Sequence, residues 1–177
     1  MQRIDRLKFF RNYPFRPLSQ SQVDNLNFIM DKMDASTPLS MLSEYAYVLA
    51  TIKHETADTF APVTEQGSQK YLSSKKYYPY IGRGYVQLTW KFNYEKFGKL
   101  LDIPLVENPA LANEPGNAWR ILELGITKGL FTGKKLSDYI TEEKHNFYHA
   151  RKIINGLDCA GLIEAYAEKY FENLTWE

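Results

Sequence analysis

The segment from Thr37 to Glu55 restricts the possible folds more than any other part of the sequence. Thr37-Pro38 is a typical helix cap followed by a first-turn proline, and apolar residues then recur every three or four positions. This apolar stripe consists of Leu39, Leu42, Tyr45, Ala46, Leu49 and Ile52. At about 100° per residue, Glu55 falls beside Val48 and Ile52 at the edge of the stripe. The pattern predicts a long helix that ends with a carboxylate where a core meets a surface groove.

Further helical patterns flank this segment, and they surround one short strand-like stretch. The predicted helices are Ser19 to Met33, Trp90 to Leu101, Glu114 to Leu130, Phe147 to Ile154 and Gly161 to Phe171. Tyr80 to Leu88 is predicted as a strand around Gly82-Arg83-Gly84. Residues 57 to 80 form a polar connection rich in lysine and tyrosine, and its length predicts a functional flap. We expect a mainly α protein with one domain over residues 1–177, constricted into two lobes.

Composition and charge exclude several classes of function. The net charge of +1 argues against nucleic acid as a partner, which usually requires a strongly basic face. The first sixteen residues carry five basic residues and one acidic residue, so they predict a solvated amphipathic start or, alternatively, contact with an anionic surface. The single cysteine, Cys159, excludes an internal disulfide and fits synthesis in a reducing compartment. No apolar run has the length of a membrane span, and no signal-peptide pattern opens the chain.

Two motifs that resemble cofactor sites lack their essential residues. His54-Glu55 begins a zinc-protease pattern, but Asp58 stands where the second histidine is required. The three histidines, at positions 54, 145 and 149, do not have the spacing of a zinc site. Gly82-Arg83-Gly84 lacks the third glycine and the following helix of a dinucleotide-binding loop. We therefore expect neither a metal ion nor an organic cofactor.

Two glutamates have the properties that glycoside cleavage requires. A carboxyl group must donate a proton to the leaving oxygen, while a second carboxylate activates water from the opposite face of the sugar. Glu55 is predicted at a helix end against apolar side chains, which favour the protonated form of a carboxyl group. Glu65 follows ten positions later on the polar connection, where a base stays ionised. The alternative for such a pair is a solvated surface without function.

Five motifs in chain order resemble glycoside hydrolase family 19. They are His54-Glu55-Thr56, Thr64-Glu65-Gln66, Gly82-Arg83-Gly84-Tyr85-Val86-Gln87-Leu88-Thr89-Trp90 with Asn93-Tyr94, Asn108-Pro109-Ala110-Leu111 with Trp119, and Ile154-Asn155-Gly156. Ser21-Gln22-Val23-Asp24 and the segment 131–136 resemble the compact phage and bacterial branch, which contains many endolysins. The resemblance covers almost the whole chain. It implies a lysozyme-like or chitinase-like bilobal helical domain with a small β element beside the active-site groove.

The resemblance also implies a role for each matching residue. Glu55 corresponds to the general acid, Glu65 to the general base, and Thr89 to a hydroxyl that helps to hold the catalytic water. The matching sugar-binding and groove-lining residues are Gln87, Asn93, Asn155, Tyr80 and Trp90. On the residues alone, Thr89 is equally a helix cap, and Asn155 equally part of a turn.

Two features depart from the family pattern. The family often places an arginine, which orients the acid, beyond the Asn-Gly turn and its following carboxylate. Asp158 can stand for the carboxylate, but Cys159-Ala160-Gly161-Leu162 contains no arginine, so Arg151 or Lys152 is expected to replace it. The connection between Glu55 and Glu65 is also shorter than in the plant chitinases.

These observations favour a monomeric endolysin that hydrolyses the β-1,4 bonds of peptidoglycan with inversion, as a lysozyme-type muramidase. A chitinase would use the same residues in the same roles. A lytic transglycosylase and a non-catalytic cell-wall binding module remain as further alternatives. We expect synthesis in the host cytoplasm, no stable membrane insertion, and action on the cell wall in the periplasm after release.

Overall fold

The computed structural model describes residues 2–177, which form eight α-helices, three 3-10 helices and two short strands. The α-helices are α1 (Arg6–Arg11), α2 (Gln20–Asp34), α3 (Leu42–Glu55), α4 (Gln69–Ser73), α5 (Lys91–Leu101), α6 (Pro115–Lys128), α7 (Phe147–Ala150) and α8 (Ala160–Asn173). The 3-10 helices are Pro109–Asn113, Leu136–Asp138 and Arg151–Ile153. Strands β1 (Val63–Thr64) and β2 (Arg83–Gly84) pair antiparallel, with Val63 opposite Gly84.

The capped helix predicted after Ser19 is confirmed. Ser19 accepts a hydrogen bond from the Gln22 N–H, and the Gln22 side chain accepts one from the Ser19 N–H, which completes a capping box. The basic segment before it folds as α1, with Phe9 buried and Arg6 bound to the carboxylate of Asp34 at 2.8 Å. Arg16 pairs with Asp58 at 3.5 Å, so two of the five N-terminal cations form ion pairs within the protein.

The start predicted for the long helix at Thr37-Pro38 is wrong, because α3 begins at Leu42. The Glu44 carboxylate accepts the main-chain N–H groups of Ser40 and Met41, so this local cap outcompetes the earlier threonine. All residues from Ser43 to Lys53 are buried, so α3 is a central helix rather than an amphipathic one. It packs along α8, and its C-terminal residues His54 and Glu55 are partly exposed.

The connection after α3 has more structure than an open flap. It contains β1 and α4, and side chains of α2 tie its beginning down: Gln22 donates to the Asp58 carbonyl and Asn25 to the Thr59 carbonyl. The predicted strand at 80–88 is shorter, because Gln87 adopts a positive φ of 55° and the chain turns back on itself there. The other predicted helices are present with small shifts at their ends, although Phe147 to Ile154 divides into α7 and a 3-10 turn.

Two hydrophobic clusters correspond to the two predicted lobes. The larger one surrounds α3 and α8, and the smaller one surrounds α5 with residues such as Tyr94, Phe97 and Leu105. Phe131 packs against both clusters. The observed mainly α architecture with a two-stranded sheet confirms the predicted fold class. Within residues 2–177, no helix is long and apolar enough to cross a membrane.

Candidate active site

Glu55 is the last residue of α3, and a buried arginine binds it. The Arg151 Nη1 donates to Glu55 Oε1 at 2.5 Å, and the Arg151 Nε donates to the Asp158 carbonyl at 2.9 Å. The Arg151 side chain is 4% exposed and the Glu55 side chain is 15% exposed. Of the two cations expected to replace the family arginine, Arg151 is the one that reaches Glu55.

Arg151, the partner of Glu55, is held in place by the helices around it. Arg151 begins the 3-10 turn that follows α7, and α7 packs against α8. The Tyr47 hydroxyl, on α3, donates to the Ala150 carbonyl at 3.0 Å and so ties the end of α7 to the helix of Glu55. Complete burial raises the pKa of Tyr47 well above its usual value, so this donor stays protonated. Glu55 and Arg151 therefore both come from elements of the larger hydrophobic cluster, which is the main core of the protein.

The two oxygens of the Glu55 carboxyl group have different surroundings. Oε1 faces the guanidinium of Arg151, so the purely apolar environment expected from the helix stripe is wrong for this atom. Oε2 accepts no hydrogen bond from any donor in residues 2–177. Because Arg151 can only donate, a proton on this carboxyl group has to sit on Oε2. The geometry thus leaves one defined atom for proton transfer.

Glu65 follows β1 directly, and two donors hold its carboxylate. The Tyr77 hydroxyl donates to Oε1 at 2.8 Å, and the Gly82 N–H donates to Oε2 at 3.0 Å. The Glu65 N–H in turn donates to the Gly82 carbonyl at 2.7 Å. A Cβ at position 82 would lie 2.7 Å from the Gln87 Oε1, so a larger residue there would displace the Gln87 side chain. Glu65 is half-buried and remains accessible to water.

Three predicted site residues, Gln87, Thr89 and Asn93, each donate a hydrogen bond to a main-chain carbonyl near Glu65. Gln87 Nε2 donates to the Val63 carbonyl, Thr89 Oγ1 to the Gln87 carbonyl, and Asn93 Nδ2 to the Thr89 carbonyl, each at 2.8 Å. Trp90, rather than Thr89, is the N-cap residue of α5. These donors shape the turn that carries them, while the acceptor oxygens of the three side chains remain for a ligand or water.

The remaining predicted residues differ in exposure and in location. Trp90 is 44% exposed and packs edge-on against Tyr77 at 5.2 Å, whereas Tyr80 is half-buried against Tyr94. Trp90 therefore presents the larger free ring surface. Asn155 lies in the other half of the site, because its N–H donates to the Arg151 carbonyl at 3.0 Å. Its side-chain oxygen accepts the Gly156 N–H, which is the turn geometry considered from the sequence.

The structure thus gathers the predicted residues into two groups. The acid group, named after the role expected of Glu55, contains Glu55, Arg151 and Asn155. The base group, named after the role expected of Glu65, contains Glu65 and the residues of the 80–93 segment that the hydrogen bonds above connect. Tyr77 is a member of the base group that the sequence did not identify. It lies within a run of lysines and tyrosines whose members no periodic pattern distinguishes.

The described residues offer no alternative metal centre. Among residues 2–177, no three His, Cys, Asp or Glu side chains are grouped closely enough to hold a metal ion. A surface depression of about 620 Å³ beside the chain termini is lined by Arg3, Arg6, Asp31, Asp34, Ala35 and Glu177, and it includes neither Glu55 nor Glu65.

Comparison with known sequences places the chain near plant chitinases. No family model matches the sequence. An endochitinase of Arabidopsis thaliana is 30% identical over 125 residues, which cover 67% of this chain and 41% of that protein. A second A. thaliana endochitinase is 39% identical over 72 residues, covering 37% of this chain and 25% of that protein. The chain therefore matches less than half the length of these relatives.

Comparison with solved structures extends the similarity to nearly the whole chain. Chitinase C from Streptomyces griseus matches with a TM-score of 0.63 and 23% identity, covering 93% of this chain and 72% of that protein. The family 19, class IV chitinase from Zea mays matches with a TM-score of 0.56 and 14% identity, covering 93% and 84%. Together with the two-lobed helical architecture and the motifs in order, these matches confirm the resemblance that the sequence indicated. The chain has the fold of the glycoside hydrolase family 19 chitinases.

Proposed function

We propose that this protein hydrolyses β-1,4 bonds in a glycan of N-acetylated sugars, with Glu55 as general acid and Glu65 as general base. The observation that carries the proposal is the asymmetry of the two carboxyl groups. Glu55 is held by a buried guanidinium and has one oxygen free of protein donors, whereas Glu65 is half-buried on a hydrogen-bonded turn. One group suits proton donation to a leaving oxygen, and the other suits activation of water.

The acid step uses the Glu55–Arg151 pair. Protonated Glu55 donates its proton from Oε2 to the glycosidic oxygen as the bond to the anomeric carbon breaks. The carboxylate that forms gains its full charge beside Arg151, which stabilises the product of the transfer. Because the guanidinium is already in place and desolvated, little reorganisation accompanies the step.

The base step uses Glu65 and the adjoining turn. A carboxylate has about four lone-pair positions, so the bonds from Tyr77 and Gly82 leave room for a water molecule. Glu65 removes a proton from this water as its oxygen attacks the anomeric carbon on the face opposite the leaving group, which inverts the configuration. We assign Thr89 to holding that water through its acceptor lone pairs, and Gln87, Asn93, Asn155, Tyr80 and Trp90 to contacts with the sugars.

For the substrate we propose peptidoglycan, so the protein would act as an endolysin on the cell wall. Charge distribution supports this choice, because residues 66–99 carry a net +6 from seven basic residues and one acidic residue, against +1 for the whole chain. Lys70 and Lys76 in this segment are exposed. Peptidoglycan strands carry lactyl-linked stem peptides with carboxylates, whereas chitin is neutral. Basic residues in the segment that follows Glu65 favour the anionic glycan strand of peptidoglycan.

The alternative is a chitinase, and a specific finding supports it. The relatives and the solved structures reported above are named chitinases or endochitinases. The acid, the base and the Thr89 water position serve both substrates equally, because chitin and peptidoglycan share β-1,4-linked N-acetyl sugars. Only contacts outside these residues can distinguish the two substrates.

Digestion of purified sacculi and of chito-oligosaccharides, with products identified by mass spectrometry, tests the proposal. We expect new reducing ends on N-acetylmuramic acid from the wild type and none from Glu55→Gln. Cleavage of chito-oligosaccharides with intact sacculi would establish the chitinase alternative instead. A 1,6-anhydro product would identify a transglycosylase, and binding without any cleavage would identify a cell-wall binding module.

A further inference from the structure

We propose that Tyr77 is a positioning residue that fixes the orientation of the Glu65 carboxylate. The inference rests on the proposed role of Glu65 as base. Among residues 2–177, two donors reach this carboxylate: the main-chain N–H of Gly82 on Oε2, and the Tyr77 hydroxyl on Oε1. The Gly82 bond holds one oxygen at the residue that precedes β2. Rotation of the carboxylate about that bond is therefore controlled by Tyr77.

The ring of Tyr77 is itself held in place. It packs edge-on against the Trp90 indole at 5.2 Å, and the main-chain N–H of Trp90 donates to the Tyr80 carbonyl at 2.9 Å. Tyr77 is half-buried, so its hydroxyl has a defined direction instead of rotating freely in water. The packed Tyr77 ring therefore holds its hydroxyl in one position, and the hydroxyl holds the Glu65 carboxylate.

The electrostatic surroundings keep Tyr77 a donor. The hydrogen bond to the Glu65 carboxylate raises the pKa of Tyr77 above its usual value of about 10. The charged or titratable groups that face it are Glu65, Lys75 and Tyr71; the Lys75 ammonium lies over the Tyr71 ring at 3.9 Å. At any pH at which a glutamic acid can donate a proton, Tyr77 is thus protonated.

A fixed base matters to the chemical step more than to binding. The carboxylate must direct a lone pair at the water while the anomeric carbon is attacked, and a small misplacement costs rate. Loss of the Tyr77 hydroxyl leaves the sugar-contacting rings in place. We therefore expect this loss to lower kcat and to leave KM nearly unchanged.

The test compares Tyr77→Phe with Tyr78→Phe on sacculi or chito-oligosaccharides, whichever the wild type cleaves. Tyr78 is the matched control, because it lies on the same turn and its hydroxyl accepts a hydrogen bond from Gln69 instead of contacting Glu65. We expect Tyr77→Phe to lower kcat by about tenfold or more with KM within about twofold. Tyr78→Phe should stay within about twofold of the wild type in both constants. Equal constants for the two variants would overturn the proposal.

A double-mutant cycle distinguishes positioning from an independent contribution. Adding Tyr77→Phe to Glu65→Gln should cause no further loss, because the residue that Tyr77 positions has already been removed. Multiplicative losses would show that Tyr77 acts independently of Glu65 and would overturn the proposal. If the wild type cleaves neither substrate, the proposed function fails, and a crystal structure of Tyr77→Phe then tests the positioning alone. Altered Glu65 orientation would support it, and an unchanged carboxylate would contradict it.

Discussion

The acid group and the base group are held by different means. Glu55 and Arg151 come from helices of the main core, and their side chains are 15% and 4% exposed. Glu65 directly follows a two-residue strand and is oriented by one tyrosine hydroxyl and one main-chain N–H. The comparison indicates that core packing positions the proposed proton donor, while local hydrogen bonds position the proposed base. Changes in the acid group should therefore reduce stability and activity together, and changes in the base group should reduce mainly activity.

The largest expected effect is that of Glu55→Gln, which removes the transferable proton. Activity should fall about 10²-fold or more, the usual contribution of general acid catalysis. Because the substitution also replaces the acidic partner of the buried Arg151 guanidinium, we expect the free energy of unfolding to fall by about 1–3 kcal/mol. Glu65→Gln is the control: its activity should fall comparably, while its thermal unfolding should match the wild type. Activity of Glu55→Gln within a few-fold of wild type would refute the acid assignment.

Arg151→Met should have the next largest effect. It retains the length of the side chain but removes the bonds to Glu55 and to the Asp158 carbonyl. A broken buried pair costs about 3–5 kcal/mol, so chemical denaturation should show a clear loss of stability along with at least about tenfold lower kcat/KM. Lys152→Met removes the neighbouring cation of the same turn and should leave both measurements close to wild type. Equal effects of the two substitutions would mean that Arg151 has no special relation to Glu55.

Gln87→Asn tests whether the hydrogen bond that supports the turn in the base group is needed for activity. Asparagine tolerates the positive φ at this position but is too short to reach the Val63 carbonyl, so the tie to β1 is lost without backbone strain. We expect about three- to tenfold lower kcat and a loss of about 1 kcal/mol in stability. Steady-state kinetics distinguishes the two roles of Gln87. A change confined to KM would show that the residue contacts sugar rather than supporting the turn.

The smallest expected effect is a loss of stability at alkaline pH, and it arises from two tyrosines of the main core. Burial raises the pKa of Tyr13 to about 12 and that of Tyr45 to about 12, whereas these groups ionise near 10 in the unfolded chain. Above pH about 10 the unfolded state loses these protons first, so stability is fully present below that pH and declines as pH rises toward about 12.

Urea denaturation at about pH 9 and about pH 11 measures this decline. Tyr13→Phe, which removes a hydroxyl 3.0 Å from that of Tyr170, should reduce it. Tyr148→Phe, at an exposed position, should leave it unchanged. A decline of the same size in both variants would mean that burial of Tyr13 has no part in it.

The extent to which the sequence predicted this structure depends on how local each interaction is. The capping box of Ser19 and Gln22 spans three residues, and its helix was predicted nearly to the residue. The start of α3 was missed because two local caps compete, and the sequence does not rank Glu44 above Thr37. The motifs located Glu55 and Glu65 as candidates.

The partners of the two glutamates depend on tertiary packing. Arg151 is 96 positions away from Glu55, and the sequence narrowed the choice only to two neighbouring cations. Tyr77 is one of several tyrosines in a polar connection, and its contact with Glu65, twelve positions earlier, depends on how that connection folds.

NMR of the first-formed product tests the central claim, which is that Glu55 and Glu65 act as an acid and a base on opposite faces of the sugar. The substrate is a β-linked glycan that the wild type cleaves, and spectra are recorded before mutarotation equilibrates the anomers. Two carboxyl groups in these roles deliver water directly to the anomeric carbon, so the account predicts an α-anomer. A β-anomer as the first product would mean retention of configuration and would contradict the role of Glu65 as base.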